Sequence, residues 1–129
     1  MYESYKQGDN VALDKSLELA RRIAIIGKRF QNEKNYVLVN HITQISRSSS
    51  SVSANLAEIV FTLSIKHKIS KINIAVGESR ETRIWLEILK YNDMIPDDEY
   101  SQLIDLCDDI CRILYATLKT LQRKQNNTI

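Results

Sequence analysis

The sequence predicts an all-α protein: an antiparallel up-down-up-down four-helix bundle that assembles as a homo-oligomer. Three observations carry this. Apolar residues recur at alternating steps of three and four in four separate segments. Only 3 Gly and 1 Pro interrupt 129 residues. No segment alternates apolar and polar residues as a half-buried strand does. With 43% apolar and 26% charged residues, the composition is that of one domain with one core. Residues 1–129 are therefore read as a single bundle, with 1–10 and 125–129 as disordered tails.

The first helix is expected over about 11–31. Leu13, Leu17, Ala20, Ala24 and Gly27, flanked by Leu19, Ile23, Ile26 and Phe30, form an apolar stripe opposite Lys15, Arg21, Arg22 and Arg29. The polar run "QNEKN" at 31–35 makes a short turn.

The second element holds "SRSSSSVSANLAE", with six serines in eight positions from Ser46 to Ser53. Composition alone reads as a linker. Spacing says otherwise: Leu38, Ile42, Ile45, Ser49, Val52, Leu56, Ile59 and Leu63 keep heptad phase straight through the serines. The reading is a helix over about 36–63. Six serines cost it on the order of 3 kcal/mol in helix propensity, and close approach by neighbouring helices is the expected offset.

A third helix over about 66–92 carries Ile69, Ile72, Ala75, Ser79, Thr82, Leu86 and Leu89 in phase. "NDMIPDDEY" then breaks the pattern. Pro96 cannot continue a helix but suits the start of one, and Asp97, Asp98 and Glu99 fall where a helix N-terminus favours acids. The fourth helix, about 97–124, carries Leu103, Cys107, Ile110, Leu114, Thr117 and Leu121. Ile84, Trp85 and Ile88 give the third helix more apolar width than one core stripe uses, as does "RIAIIG" at 22–27. Surplus width of that kind points to a self-association surface, and the plainer alternative is a wide core.

Several function classes find no support. No run approaches the roughly 18 apolar residues of a membrane span, and "MYESYKQGDN" lacks a signal-peptide core, so the expected location is cytoplasmic and no membrane partner is expected. Cys107 and Cys111, four apart on one helix, read as small reduced hydrophobes. "NNT" at 126–128 fits a glycosylation sequon, which has no role in a protein that is not secreted. No cofactor and no metal site is expected, because His41 and His67 lack ligand spacing and no Glu-x-x-His pair occurs. No nucleophile, base and oxyanion set is recognisable, so the protein is read as non-enzymatic.

Arg47, Ser51, Asn55 and Glu58 share one stripe of the second helix, and Glu78 and Glu81 share one on the third. Together they are read as a structural network across the helix pair that fixes register. Charge is segregated along the chain. Residues 1–71 carry 11 basic and 6 acidic side chains, 72–111 carry 3 and 10, and 112–129 carry 4 and none. In the predicted topology Lys66, His67, Lys68 and Lys71 share one end with Lys119, Arg123 and Lys124. The other end brings Asp93, Asp97, Asp98 and Glu99 to Lys28, Arg29 and Lys34.

Two motifs carry a family resemblance that covers about 14–122. "RSSSSVSAN" supplies Arg47, Ser48, Ser51, Val52, Ala54 and Asn55, followed by Glu58; the third helix supplies Glu81, Thr82, Trp85 and Leu86. In these the sequence resembles the four-helix-bundle proteins encoded in intervening sequences of bacterial large-subunit rRNA genes. The accessory variability determinant protein of diversity-generating retroelements shares that fold group. Ser49 and Ser53 stand where relatives often carry Gly or Pro, and Ile59 and Val60 where many have small residues, which favours an unbroken second helix. The resemblance implies a homopentamer and, through the retroelement relative, association with nucleic acid and a reverse transcriptase.

A basic end repeated around a ring suits phosphate backbones. The functional expectation is therefore sequence-tolerant binding of RNA or DNA through Lys66, His67, Lys68, Lys71, Lys119, Arg123 and Lys124. Aromatic residues look sparse near these, which argues against base stacking. The alternative is a protein-interaction scaffold with no nucleic-acid role.

Overall fold

The structure is a computed structural model that describes residues 10–127. It consists of four helices, α1 (Val11–Arg29), α2 (Tyr36–Val60), α3 (Ile65–Tyr91) and α4 (Asp97–Asn127), with no strand among the described residues. Each helix packs against its two neighbours around the square, α1 on α2, α2 on α3, α3 on α4 and α4 back on α1. The connections are short, so successive helices run antiparallel.

Local chemistry sets the helix starts. The Asn10 side chain accepts the Leu13 N–H at 2.9 Å, Asn35 accepts Val37 N–H at 3.0 Å, and Ser64 accepts His67 N–H at 3.1 Å. At α4 the Pro96 carbonyl accepts the Tyr100 N–H at 3.0 Å, and Asp97, Asp98 and Glu99 occupy the first turn. The end of α3 is a Schellman motif: Met94 N–H bonds Leu89 O at 2.9 Å, Asp93 N–H bonds Lys90 O at 3.0 Å, and Asp93 takes a left-handed φ of 55°. Met94 and Leu89 are both buried there, the apolar contact that commonly seals this cap.

The core runs the length of the bundle through Leu19, Ile23 and Ile26, Ile45 and Val52, Ile72, Leu86 and Leu89, and Leu103 and Ile110, all at most 1% exposed. Mid-height, small residues replace large ones: Ser16, Ser48, Ser49, Ser79 and Thr82 are buried. Each of these hydroxyls finds a partner. Ser16 donates to Leu13 O at 2.8 Å, Ser49 to Ser46 O at 3.3 Å, and Ser79 crosses to Cys107 O at 3.3 Å. For Ser16 and Ser49 back-bonding within the helix meets the polar demand without a cross-helix partner. The serine tract is therefore packed helix and not linker, and α2 with α3 forms the most extensive helix pair.

Several sequence expectations shift. On α1 the innermost line is Ser16, Leu19, Ile23 and Ile26, while Ala24 is exposed. On α4 Leu118 takes the inner position expected of Thr117, which is exposed. α2 ends at Val60, so Leu63 lies past the helix and is 96% exposed. Asn10 caps α1, and α4 continues to Asn127, so residues 125–127, expected in a tail, are helical. The remaining tail assignments, 1–9 and 128–129, lie outside the described residues. No helix among the described residues is long and apolar enough to cross a membrane.

Candidate nucleic-acid interface

The antiparallel connectivity puts the α2–α3 turn and the last turns of α4 at one end, together with the start of α1. Lys66, His67, Lys68 and Lys71 of α3 thus share a pole with Lys119, Arg123 and Lys124 of α4. Lys66, Lys119, Arg123 and Lys124 are exposed and Lys68 half-buried. None of these five makes an ion pair among the described residues. Lys71 differs: its ammonium lies 3.0 Å from Glu58, which also sits 3.9 Å from the His67 imidazole. The pole therefore holds five uncommitted cations and one neutralised pair.

The opposite end is ion-paired. Arg29 grips Glu99 with both terminal guanidinium nitrogens at 2.6 Å, a geometry that holds Arg29 above its ordinary pKa, and Lys90 reaches Asp97 at 3.4 Å. Lys28 and Lys34, expected there as partners of the acids, make no ion pair among the described residues. Between the ends, α1 is registered on α4 by Lys15–Asp109 at 3.4 Å and by the hydrogen bond of Arg22 to Gln102 at 2.6 Å.

The network expected between α2 and α3 divides into three. Arg47 bridges Glu78, at 2.9 Å, and Glu81. Asn55 stays within its own helix, its amide donating to Ser51 O at 2.8 Å and Ser51 Oγ at 3.2 Å, so neither Asn55 nor Ser51 meets a carboxylate. Glu58 belongs to the basic pole, about three turns from Arg47. The reason is reach: an Asn side chain is too short to span two helices when a carbonyl one turn back lies closer.

Of Ile84, Trp85 and Ile88 on α3, only Ile84 is exposed; Trp85 and Ile88 are half-buried, Trp85 against the core. Ile84 is 53% exposed, and Trp85 stacks against His41 of α2, with ring centroids 5.5 Å apart and planes tilted by 43°. His41 Nδ1 is buried there without a hydrogen-bond partner.

A second cationic feature was not legible in the sequence. Arg80, Arg83 and Arg112 line a hollow of about 520 Å³ between α3 and α4, with Ser79, Cys107, Asp108, Cys111 and Tyr115. Arg80 lies over the Tyr115 ring, 5.7 Å from its centroid. Cys107 forms part of the hollow's floor; burial, with a smaller contribution from the neighbouring Cys111 thiol, pushes its thiol up to about 12. Among the described residues no cluster of three or more His, Cys, Asp or Glu side chains is placed to hold a metal ion.

A closed antiparallel bundle with an ion-paired end and a cationic end, and with a small-residue layer at its centre, is the architecture of the small helical-bundle proteins. Within that class the chain belongs to the 23S rRNA-intervening sequence protein family, whose family model matches residues 8–116. A crystal structure of a protein of unknown function from the S23 ribosomal protein family of Bacteroides thetaiotaomicron is similar. It is 36% identical, with a TM-score of 0.76, over 84% of this chain and 99% of that one. No curated protein matches the chain. These matches concern the rRNA-intervening family and not the retroelement accessory proteins.

Proposed function

We propose that the protein is a non-enzymatic homo-oligomer that binds RNA or DNA through its basic pole without reading sequence. One observation carries this reading. Lys66, Lys68, Lys119, Arg123 and Lys124 converge on one end without carboxylate partners among the described residues, whereas Arg29, Arg47, Arg83 and Arg112 elsewhere are each held by an acid. Uncommitted cations gathered on one surface release condensed counterions when they meet a phosphate backbone, and the resulting affinity is set by charge and salt. The exposed Ile84 beside Trp85 supports self-association, which would multiply the pole around a ring.

The experiment is retention of the purified protein on RNA and DNA across a salt series, with solution mass and the 260/280 nm absorbance ratio measured on the same sample. The expected result is binding at low salt that falls linearly in log–log form and is lost when Lys66, Lys68 and Lys124 become Glu. Absence of binding at low salt overturns the reading. The Trp85 face also fits a protein partner; capture that survives nuclease digestion and is abolished by Ile84→Glu would favour the scaffold reading instead.

A further inference from the structure

A hollow between α3 and α4 adjoins a second one lined by α4 alone. The first, of about 520 Å³, contains Arg80 and Arg112, and the second, of about 580 Å³, contains Lys119 and Gln122; Tyr115 lines both. On α4, Arg112, Tyr115 and Lys119 fall at steps of three and four on one face, and Arg123 at the basic pole lies about 12 Å beyond Tyr115 at 1.5 Å per residue. The groove thus opens onto the cationic end.

The cations in it are not equivalent. Arg83 is held by Asp108 at 3.1 Å and Glu87 at 2.9 Å, and Arg112 by Asp109 at 3.1 Å. Arg80 has no carboxylate among the described residues and rests on the Tyr115 ring, and Lys119 makes no ion pair there. The tyrosine is 42% exposed although it lies between two helices. Arg80 covers one face of this exposed ring and Lys119 lies one turn along α4, a set with which proteins hold unpaired nucleotides: the other ring face takes a base, the cations take phosphates, and any base serves.

We propose that this α3–α4 groove holds single-stranded nucleic acid, with a base stacked on Tyr115 and the adjoining phosphates on Arg80 and Lys119. The inference rests on the basic-pole reading and deepens it, since the pole alone attracts duplex and single strand alike. A duplex keeps its bases stacked on each other and cannot use the ring, so the groove makes the protein prefer unpaired strands.

The test compares a fluorescently labelled oligouridine, its oligothymidine counterpart and a duplex of the same length, by anisotropy at low salt. The proteins are the natural chain, Tyr115→Ala, Tyr115→Phe, and the pair Lys66→Glu with Lys68→Glu. Tyr115→Ala should weaken both single strands about tenfold and the duplex less than twofold, with Tyr115→Phe close to the natural protein. The lysine pair should weaken all three ligands. A strand carrying 5-iodouridine should photo-crosslink to the peptide containing Tyr115. An unchanged strand-to-duplex ratio in Tyr115→Ala, with the lysine pair still impaired, overturns the groove and leaves the pole standing. No binding of any ligand by the natural protein overturns both.

Discussion

Ser48 Oγ of α2 lies 2.8 Å from Thr82 Oγ1 of α3, with both residues fully buried at the centre of the bundle. Each hydroxyl also has a carbonyl of its own helix within reach, Ile45 O at 3.3 Å for Ser48 and Glu78 O at 2.9 Å for Thr82, so either can donate across the pair while the other bonds its own helix. The size of Ser48 matters more than this bond. Ser48→Ala leaves the Thr82 proton satisfied and improves helix propensity, so the expected change in unfolding free energy is within about 1 kcal/mol. Ser48→Leu forces extra methylenes into a closed crossing and is expected to cost about 3 kcal/mol or to prevent folding. Urea denaturation of the two variants distinguishes them; a fully stable Ser48→Leu protein would show that α2 and α3 do not meet at this residue.

Asp93 adopts the left-handed conformation at the α3 Schellman cap, a position that glycine fills without steric cost. Its side chain is exposed, which leaves little else for the substitution to change. Asp93→Gly should stabilise the protein by about 0.5–1 kcal/mol and raise the melting temperature by about 3–5 °C. Scanning calorimetry checks this, and a lower melting temperature would indicate that the Asp93 carboxylate has a stabilising role absent from the cap geometry.

The helix pattern was legible almost to the residue because few glycines and prolines compete with a long apolar phase. The serines were the clearest case. Their register with Ile45, Val52 and Leu56 was a stronger signal than their polarity, since buried hydroxyls can bond the preceding turn. Finer placement was not legible. Thr117 and Leu118 both lie near the inward line of α4, and a helix of 3.6 residues per turn lets either step follow Leu114; in the packed bundle Leu118 is the buried one. On α1 two apolar lines run side by side, and only the neighbours decide that Leu19, Ile23 and Ile26 face the centre while Leu13 and Leu17 border α2. The Arg80–Tyr115 pair was hidden for a different reason. Arg80 and Arg83 sit in the acid-rich stretch 72–111, whose summed charge masked a local basic face. Pairing with residues 112–119 of another helix appears only in three dimensions.

Arg47 reaches two carboxylates across the α2–α3 pair, yet its side chain is 48% exposed, and Glu78 and Glu81 are 19% and 38% exposed. Solvent screening therefore limits what the cluster contributes. Arg47→Ala is expected to cost about 1 kcal/mol or less. Arg47→Glu places three acids together and should cost more, with part of the loss recovered in high salt as the repulsion is screened. Denaturation of both variants in low and high salt tests this; a loss for Arg47→Ala that is both large and insensitive to salt would mean that the aliphatic stem of Arg47 packs the crossing.

Cys107 and Cys111, four residues apart on α4, should differ sharply in chemistry. Cys107 is 1% exposed, and burial raises its pKa from 9.0 to about 12, so almost no thiolate exists at neutral pH; Cys111 is half-buried at the groove. A disulfide-exchange reagent at pH 8 should modify Cys111 in the native protein and reach Cys107 only on unfolding, with mass spectrometry of the digested protein assigning the sites. The same shift makes a stability prediction. The folded state keeps the Cys107 proton that the unfolded chain releases near pH 9, so its contribution is complete below that pH and declines as pH rises from about 9 toward 12. Replacing Cys107 with Ala removes this titration, and the fall in urea stability between pH 8 and 10 should become shallower than in the natural protein. An equal fall in both would show that the Cys107 thiol ionises as readily in the folded bundle as in the unfolded chain.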